Sequence, residues 1–167
     1  MYNSERRKKS DSYCELKLIN LLKLIYSTND VQIESTNKLM DIYTGADYFC
    51  VVNSEKAIEK TFFVSVRKSN KNYNSFLFRL NYLGFELDKL IKSDIKYHIQ
   101  FSEENGREQI AILNLKLMRK YYYDNFNLMN YLKTIQSATN WNESDTGKKI
   151  VIKFNQISNK FKKVLYL

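Results

Sequence analysis

The stretch Gly45-Ala46-Asp47-Tyr48-Phe49-Cys50-Val51-Val52, followed by Thr61-Phe62-Phe63-Val64-Ser65-Val66-Arg67-Lys68-Ser69, sets the architecture. Both runs are rich in β-branched and aromatic residues, and the polar segment 53–60 between them reads as a connection. Two neighbouring strands are therefore expected, one over Asp47–Val52 and one over Thr61–Arg67. In the second, Phe62, Val64 and Val66 face one way and Phe63, Ser65 and Arg67 the other, because side chains alternate across a strand.

Upstream, Cys14, Leu18, Leu21, Leu22 and Ile25 recur at helical spacing and predict a helix over 12–27, capped by Ser10, Asp11 or Ser12. Glu15 falls on the side of Leu18, Ile19 and Leu22, where a carboxylate is costly unless it is paired. A short strand near Val31–Ile33 follows. Downstream, Phe76, Leu80, Leu83, Leu87 and Leu90 keep a helical period, interrupted at Gly84. Ile95, Tyr97, Ile99 and Phe101 alternate with Lys96, His98 and Gln100, the pattern of a half-buried strand. Asn105-Gly106 supplies a hairpin turn, and the chain returns through 109–119 with Leu113, Leu115 and Leu117 alternating. A helix over 125–136 and a final strand over 149–154 complete the order. The expected class is α+β, a single mixed sheet flanked by helices. Proline is absent and no linker divides the chain, so residues 1–167 read as one domain.

The net charge of +9 is carried by the two ends. Arg6, Arg7, Lys8 and Lys9 against Glu5 give residues 1–9 a charge of +3, within an N-terminal arm of residues 1–11. Lys148, Lys149, Lys153, Lys160, Lys162 and Lys163, with no acid among them, make 148–167 a basic C-terminal segment. Like charges at the ends of a neutral body point to a polyanion, and nucleic acid is the commonest, since lysines that neutralise phosphates release counterions. No run approaches the ~18–20 apolar residues of a membrane span. The opening residues lack the apolar core of a secretory signal, so a cytoplasmic setting without membrane contact is expected. Cys14 and Cys50 lack metal-ligand spacing and read as reduced core residues. One histidine, His98, offers no partner for a triad or a histidine-based metal site. Arg119-Lys120-Tyr121-Tyr122-Tyr123 is a second basic and aromatic candidate for nucleic acid, although tyrosines also suit packing.

The segments Gly45-Ala46-Asp47-Tyr48 and Val64-Ser65-Val66-Arg67-Lys68-Ser69 resemble the two motifs of the PD-(D/E)XK nuclease superfamily, which includes Holliday-junction resolvases and restriction-type endonucleases. The resemblance covers about residues 12–92. It implies an αβββαβ core, with Asp47 as the motif aspartate and Glu15 as the helix carboxylate, together holding Mg²⁺. Mg²⁺ would position water at the scissile phosphate. Two departures stand out. Ser65 occupies the position of the second acid, and Arg67 that of the lysine, with Lys68 beside it. Serine brings no charge to a metal, and arginine holds phosphate but is a poor base. Asp47, Arg67 and Lys68 are thus the catalytic candidates. The nucleic-acid contacts expected are Arg6, Arg7, Lys8, Lys9, Ser65, Arg67, Lys68, Lys148, Lys149, Lys162 and Lys163. DNA is expected before RNA, and a homodimer is compatible with resolvase-type relatives. The reading is a nucleic-acid-binding protein with a nuclease-like core, either degenerate or with a rearranged metal site. The alternative is a small non-enzymatic interaction protein of phage or mobile-element type that binds a protein partner. A metal-free ribonuclease toxin is a third reading, for which no acid–base pair can be assigned.

Overall fold

The computed structural model describes residues 4–55, 57–69, 75–81, 84–104, 106–125, 149–153, 157 and 159–166. Helix α1 (Ser4–Tyr26) leads into β1 (Asp30–Ser35), α2 (Lys38–Thr44), β2 (Tyr48–Ser54) and β3 (Ala57–Lys68). Then come β4 (Ser75–Asn81), β5 (Gly84–Phe85), α3 (Glu86–Lys92), β6 (Ile95–Glu104), β7 (Arg107–Asn114) and α4 (Leu115–Asn125). Strands β8 (Lys149–Lys153) and β9 (Lys162–Tyr166) close the chain.

The main sheet is six-stranded and mixed, ordered β1-β2-β3-β6-β7-β9. Strands β1, β2 and β3 form an antiparallel meander, and β6 lies parallel to β3. A parallel neighbour requires a long crossover, and the segment between β3 and β6 supplies it. The path α1, β1, β2, β3, α3, β6 keeps the αβββαβ order expected, with α2 inserted between β1 and β2 and with β4 and β5 inserted before α3. A three-stranded sheet, β5-β4-β8, stands beside the main one.

Each face of the main sheet carries its own core. Leu18, Leu21 and Leu22 of α1 pack with Cys50, Val64, Ile99, Phe101 and Ile112. On the other face Phe76 and Phe78 of β4, Leu87 and Leu90 of α3, and Leu115 and Met118 of α4 pack with Ile95, Ala111 and Leu113. Cys14 and Cys50 are buried free thiols, as their apolar surroundings require. Burial pushes the Cys50 thiol up to about 12.

Three sequence expectations are corrected. Residues 76–90 are not one helix: Phe76 and Phe78 are both fully buried, a spacing of two that belongs to a strand. The helix starts at Glu86 and keeps only the Leu87 and Leu90 part of the period. Leu115 and Leu117 do not extend β7, because the Asn114 side chain accepts from Leu117 N–H at 2.9 Å and caps α4. His98 and Gln100 do not face solvent, since β6 is central and covered on both sides. Of the helix expected over 125–136, Asn125 ends α4 and residues 126–136 lie outside the described residues.

Candidate functional site

Helix α2 ends in the motif glycine. Gly45 adopts φ +76, a left-handed C-cap that favours glycine, and its N–H bonds Asp41 O at 2.8 Å. A Cβ there would lie 2.7 Å from Leu90 Cδ2, so α3 packs against bare backbone. The Lys89 ammonium donates to Ile42 O at 2.9 Å and joins α3 to the end of α2. The chain is thereby aimed at β2 with Asp47 at its threshold.

Asp47 is fastened on all sides. Its N–H bonds Val64 O and its carbonyl accepts from Thr36 N–H, each at 2.9 Å. Its Oδ2 accepts from Val66 N–H at 2.7 Å. Burial raises its carboxyl to about 7, with Asp41 and Glu86 adding to the rise against the stabilisation of its charged form by Val66 N–H and the Ser65 hydroxyl. Ser65 Oγ stands 3.1 Å from His98 Nδ1, a polar pair buried in the sheet. His98 is fully buried, packed against Phe78 and Phe76 at ring distances of 5.1 and 5.9 Å. Among the described residues its Nε2 has no hydrogen-bond partner. Burial, helped by the charge of Arg67, pushes the imidazole down to about 3 and keeps it neutral.

Arg67 follows on β3 and pairs with Glu86 at 2.5 Å, both side chains less than a fifth exposed at 17% and 16%. Lys68 points to the α1 side, its ammonium 4.1 Å from the centre of the Tyr13 ring. Asp47, Asp41, Arg67, Lys68 and Lys38 line one open cleft of about 470 Å³. The α1 residue that lines it is Cys14, not Glu15. Glu15 is half-buried elsewhere on the helix.

These groups do not suit Mg²⁺. One oxygen of Asp47 is committed to a backbone N–H, its strand neighbour Ser65 offers only a hydroxyl, and Glu86 is held by a guanidinium. A fixed positive charge beside the second carboxylate opposes an octahedral dication. Among the described residues no three Asp, Glu, His or Cys side chains converge as a metal-holding group.

The other expected contacts are scattered. Arg6, Arg7, Lys8 and Lys9 fall within α1, which begins at Ser4. Lys162, half-buried, and Lys163, exposed, lie on the sheet-edge strand β9. Lys149 lies in β8, and Lys148 lies outside the described residues. Ser65, at 4% exposure, is a buried partner of His98, and its place as a nucleic-acid contact is corrected on that ground. Arg119 is likewise structural: its guanidinium donates to the carbonyls of Leu90, Ser93 and Ile95 and ties the end of α3 to β6. Sequence reasoning missed Glu86, which sits in a segment read as helix interior. It also missed the burial of His98. Among the described residues no helix is long and apolar enough to cross a membrane. No family model, curated protein or solved structure matches the chain.

Proposed function

We propose that this chain binds nucleic acid, DNA before RNA, through a core like that of the PD-(D/E)XK nucleases whose centre holds the backbone without hydrolysing it. The observation that carries the reading is the Arg67–Glu86 ion pair at the motif position beside Asp47. A buried ion pair there replaces the carboxylate–lysine arrangement on which hydrolysis depends. The exposed ammoniums of Lys38 and Lys68 remain at the mouth of the cleft to meet phosphates. The charge of +9 supplies long-range attraction.

The test is a gel shift of labelled single-stranded, duplex and branched DNA, run beside a cleavage assay with Mg²⁺ or Mn²⁺ and an EDTA control. Binding that weakens steeply with salt, without metal-dependent cutting, is expected. Cutting that Asp47→Ala removes would replace this reading with an active nuclease of unusual ligand set.

A specific observation favours a protein partner as the second reading. Leu39 and Tyr43 project from the same side of α2 at 66% and 65% exposure, and Leu16 and Leu24 likewise from α1 at 61% and 62%. Affinity for a protein that persists at high salt and without nucleic acid would select it.

A further inference from the structure

The middle and the C-terminal end of α1 are built alike but charged differently. Tyr13 and Tyr26 lie about 20 Å apart along the helix, from a rise of ~1.5 Å per residue. At the first, Lys68 and Lys17 stand 4.1 and 5.6 Å from the Tyr13 ring centre, and Glu108 closes the group. The Tyr13 hydroxyl donates to Glu108 at 3.0 Å and the Lys17 ammonium at 2.6 Å. At the second, Lys60 and Lys96 stand 5.1 and 5.3 Å from the Tyr26 ring centre. The Lys96 ammonium also lies 4.5 Å from the Phe62 ring and 5.1 Å from Tyr97, and it donates to the Tyr26 hydroxyl at 2.7 Å.

A backbone irregularity places Lys96 there. Phe63 pairs with Ile95, but Val64 pairs with Tyr97, which leaves Lys96 as an extra residue on β6. The bulge reverses the phase of the strand: Ile95 joins the core beneath β4, whereas Tyr97, Ile99 and Phe101 join the core beneath α1. Lys96 consequently emerges on the α1 side with Tyr97. Lys116 enters from the start of α4, just past Asn114, the partner of Tyr97. The groups that act on Lys96 are burial, Lys60 and Lys116, all of which lower its basicity. Asp30 and Glu55 share an open groove with Tyr26, and the Asp30 carboxylate accepts from Asn53 at 3.0 Å.

We infer that Lys60, Lys96 and Lys116, gathered at the Tyr26 end of α1, form a second phosphate-binding station for the nucleic-acid backbone, separate from the Asp47 cleft. This rests on the nucleic-acid reading above. Two ammoniums held against the Tyr26 ring, with the like charge of Lys116 acting on Lys96, repel one another, and a phosphodiester between them relieves that repulsion. The rings hold the lysine stems in place, so little freedom is lost on binding. Lys68 at the cleft and Lys96 at the far end place the two stations along one helix.

The test uses the full chain and a mixed-sequence DNA, single-stranded and duplex, with affinity followed over a salt series. Lys60 and Lys116 are exposed, so Lys60→Glu with Lys116→Glu alters charge without touching the core. Lys92→Glu with Arg107→Glu, also exposed, is the control of equal charge. The station variant should lose about tenfold or more in affinity and about two units of salt slope, the control far less. Lys96→Gln should lose affinity while keeping the aromatic group assembled. Equal effects of the two double variants would overturn the station and leave nucleic-acid binding standing. Failure of the unaltered protein to bind DNA at low salt would remove the underlying reading itself.

Discussion

Val66 donates its backbone N–H to Oδ2 of Asp47 at 2.7 Å, just beyond Tyr48 and Val64, a residue pair of the β2–β3 ladder. The carboxylate does for β3 what a further main-chain carbonyl of β2 would do. It satisfies a donor that the sheet would otherwise leave open. The same residue is expected, from its motif, to bear a metal. Its bond to Val66 N–H commits one of its two oxygens to the sheet.

Asp47→Asn keeps an acceptor for Val66 and removes the titration. The folded carboxyl holds its proton to about pH 7, against 3.8 for the ordinary group. Its contribution to stability is complete below pH 3.8 and is lost as pH rises through 7. The Asn variant should therefore gain on the wild type by about 1–3 kcal/mol between about pH 5 and about pH 8 in urea titrations. Asp47→Ala, which abandons Val66 N–H, should be less stable than Asn by about 1–3 kcal/mol at either pH.

Arg67→Ala would take its guanidinium partner from Glu86, at 16% exposure beside the core of α3. Urea midpoints should report a loss of about 3–5 kcal/mol, the usual consequence of breaking a largely buried ion pair from one side. Arg67→Met with Glu86→Leu should recover most of it, since neither charge remains. A small loss in the single variant would contradict the burial of the pair.

His98 is predicted to stay neutral in the native protein far below the ordinary histidine range. Its stabilising contribution is full above pH 6.5 and is lost as pH falls towards 3, opposite in slope to that of Asp47. The imidazole proton resonances should show no titration between about pH 8 and about pH 5. A midpoint near 6.5 in the folded protein would contradict its position against Phe76 and Phe78.

Gly45→Ala should cost about 1–3 kcal/mol, because alanine must adopt φ +76 and meet Leu90. Thermal denaturation measures it. Gly106→Ala, also at positive φ but with nothing within 4 Å of its Cβ, should cost less.

Much of the fold was legible where periodicity and sidedness agreed. Cys14, Leu18, Leu21 and Leu22 announced α1, and the Asp47–Val52 and Thr61–Arg67 runs announced the central meander. The segment around Phe76 was not legible, because Phe76, Leu80 and Leu87 satisfy a helical period while Phe76 and Phe78 satisfy a strand. His98 was misread because alternation shows two faces but not whether a second layer covers the polar one. Asp47 could be found from the motif, yet its bond to Val66 depends on where β2 begins. Glu86 and Lys96 carried no sequence signal: one takes its meaning from Arg67, distant along the chain, and the other from a bulge.

The central claim is that the Asp47 cleft grips nucleic acid without cutting it. Gel shift and cleavage of the same single-stranded, duplex and branched DNA, with Mg²⁺ or Mn²⁺ against EDTA, test it most directly. Salt-sensitive binding that Lys38→Glu with Lys68→Glu weakens by about tenfold, with the DNA intact in either metal, is the predicted result. Metal-dependent cleavage abolished by Asp47→Ala, or no binding to any substrate at low salt, would contradict it.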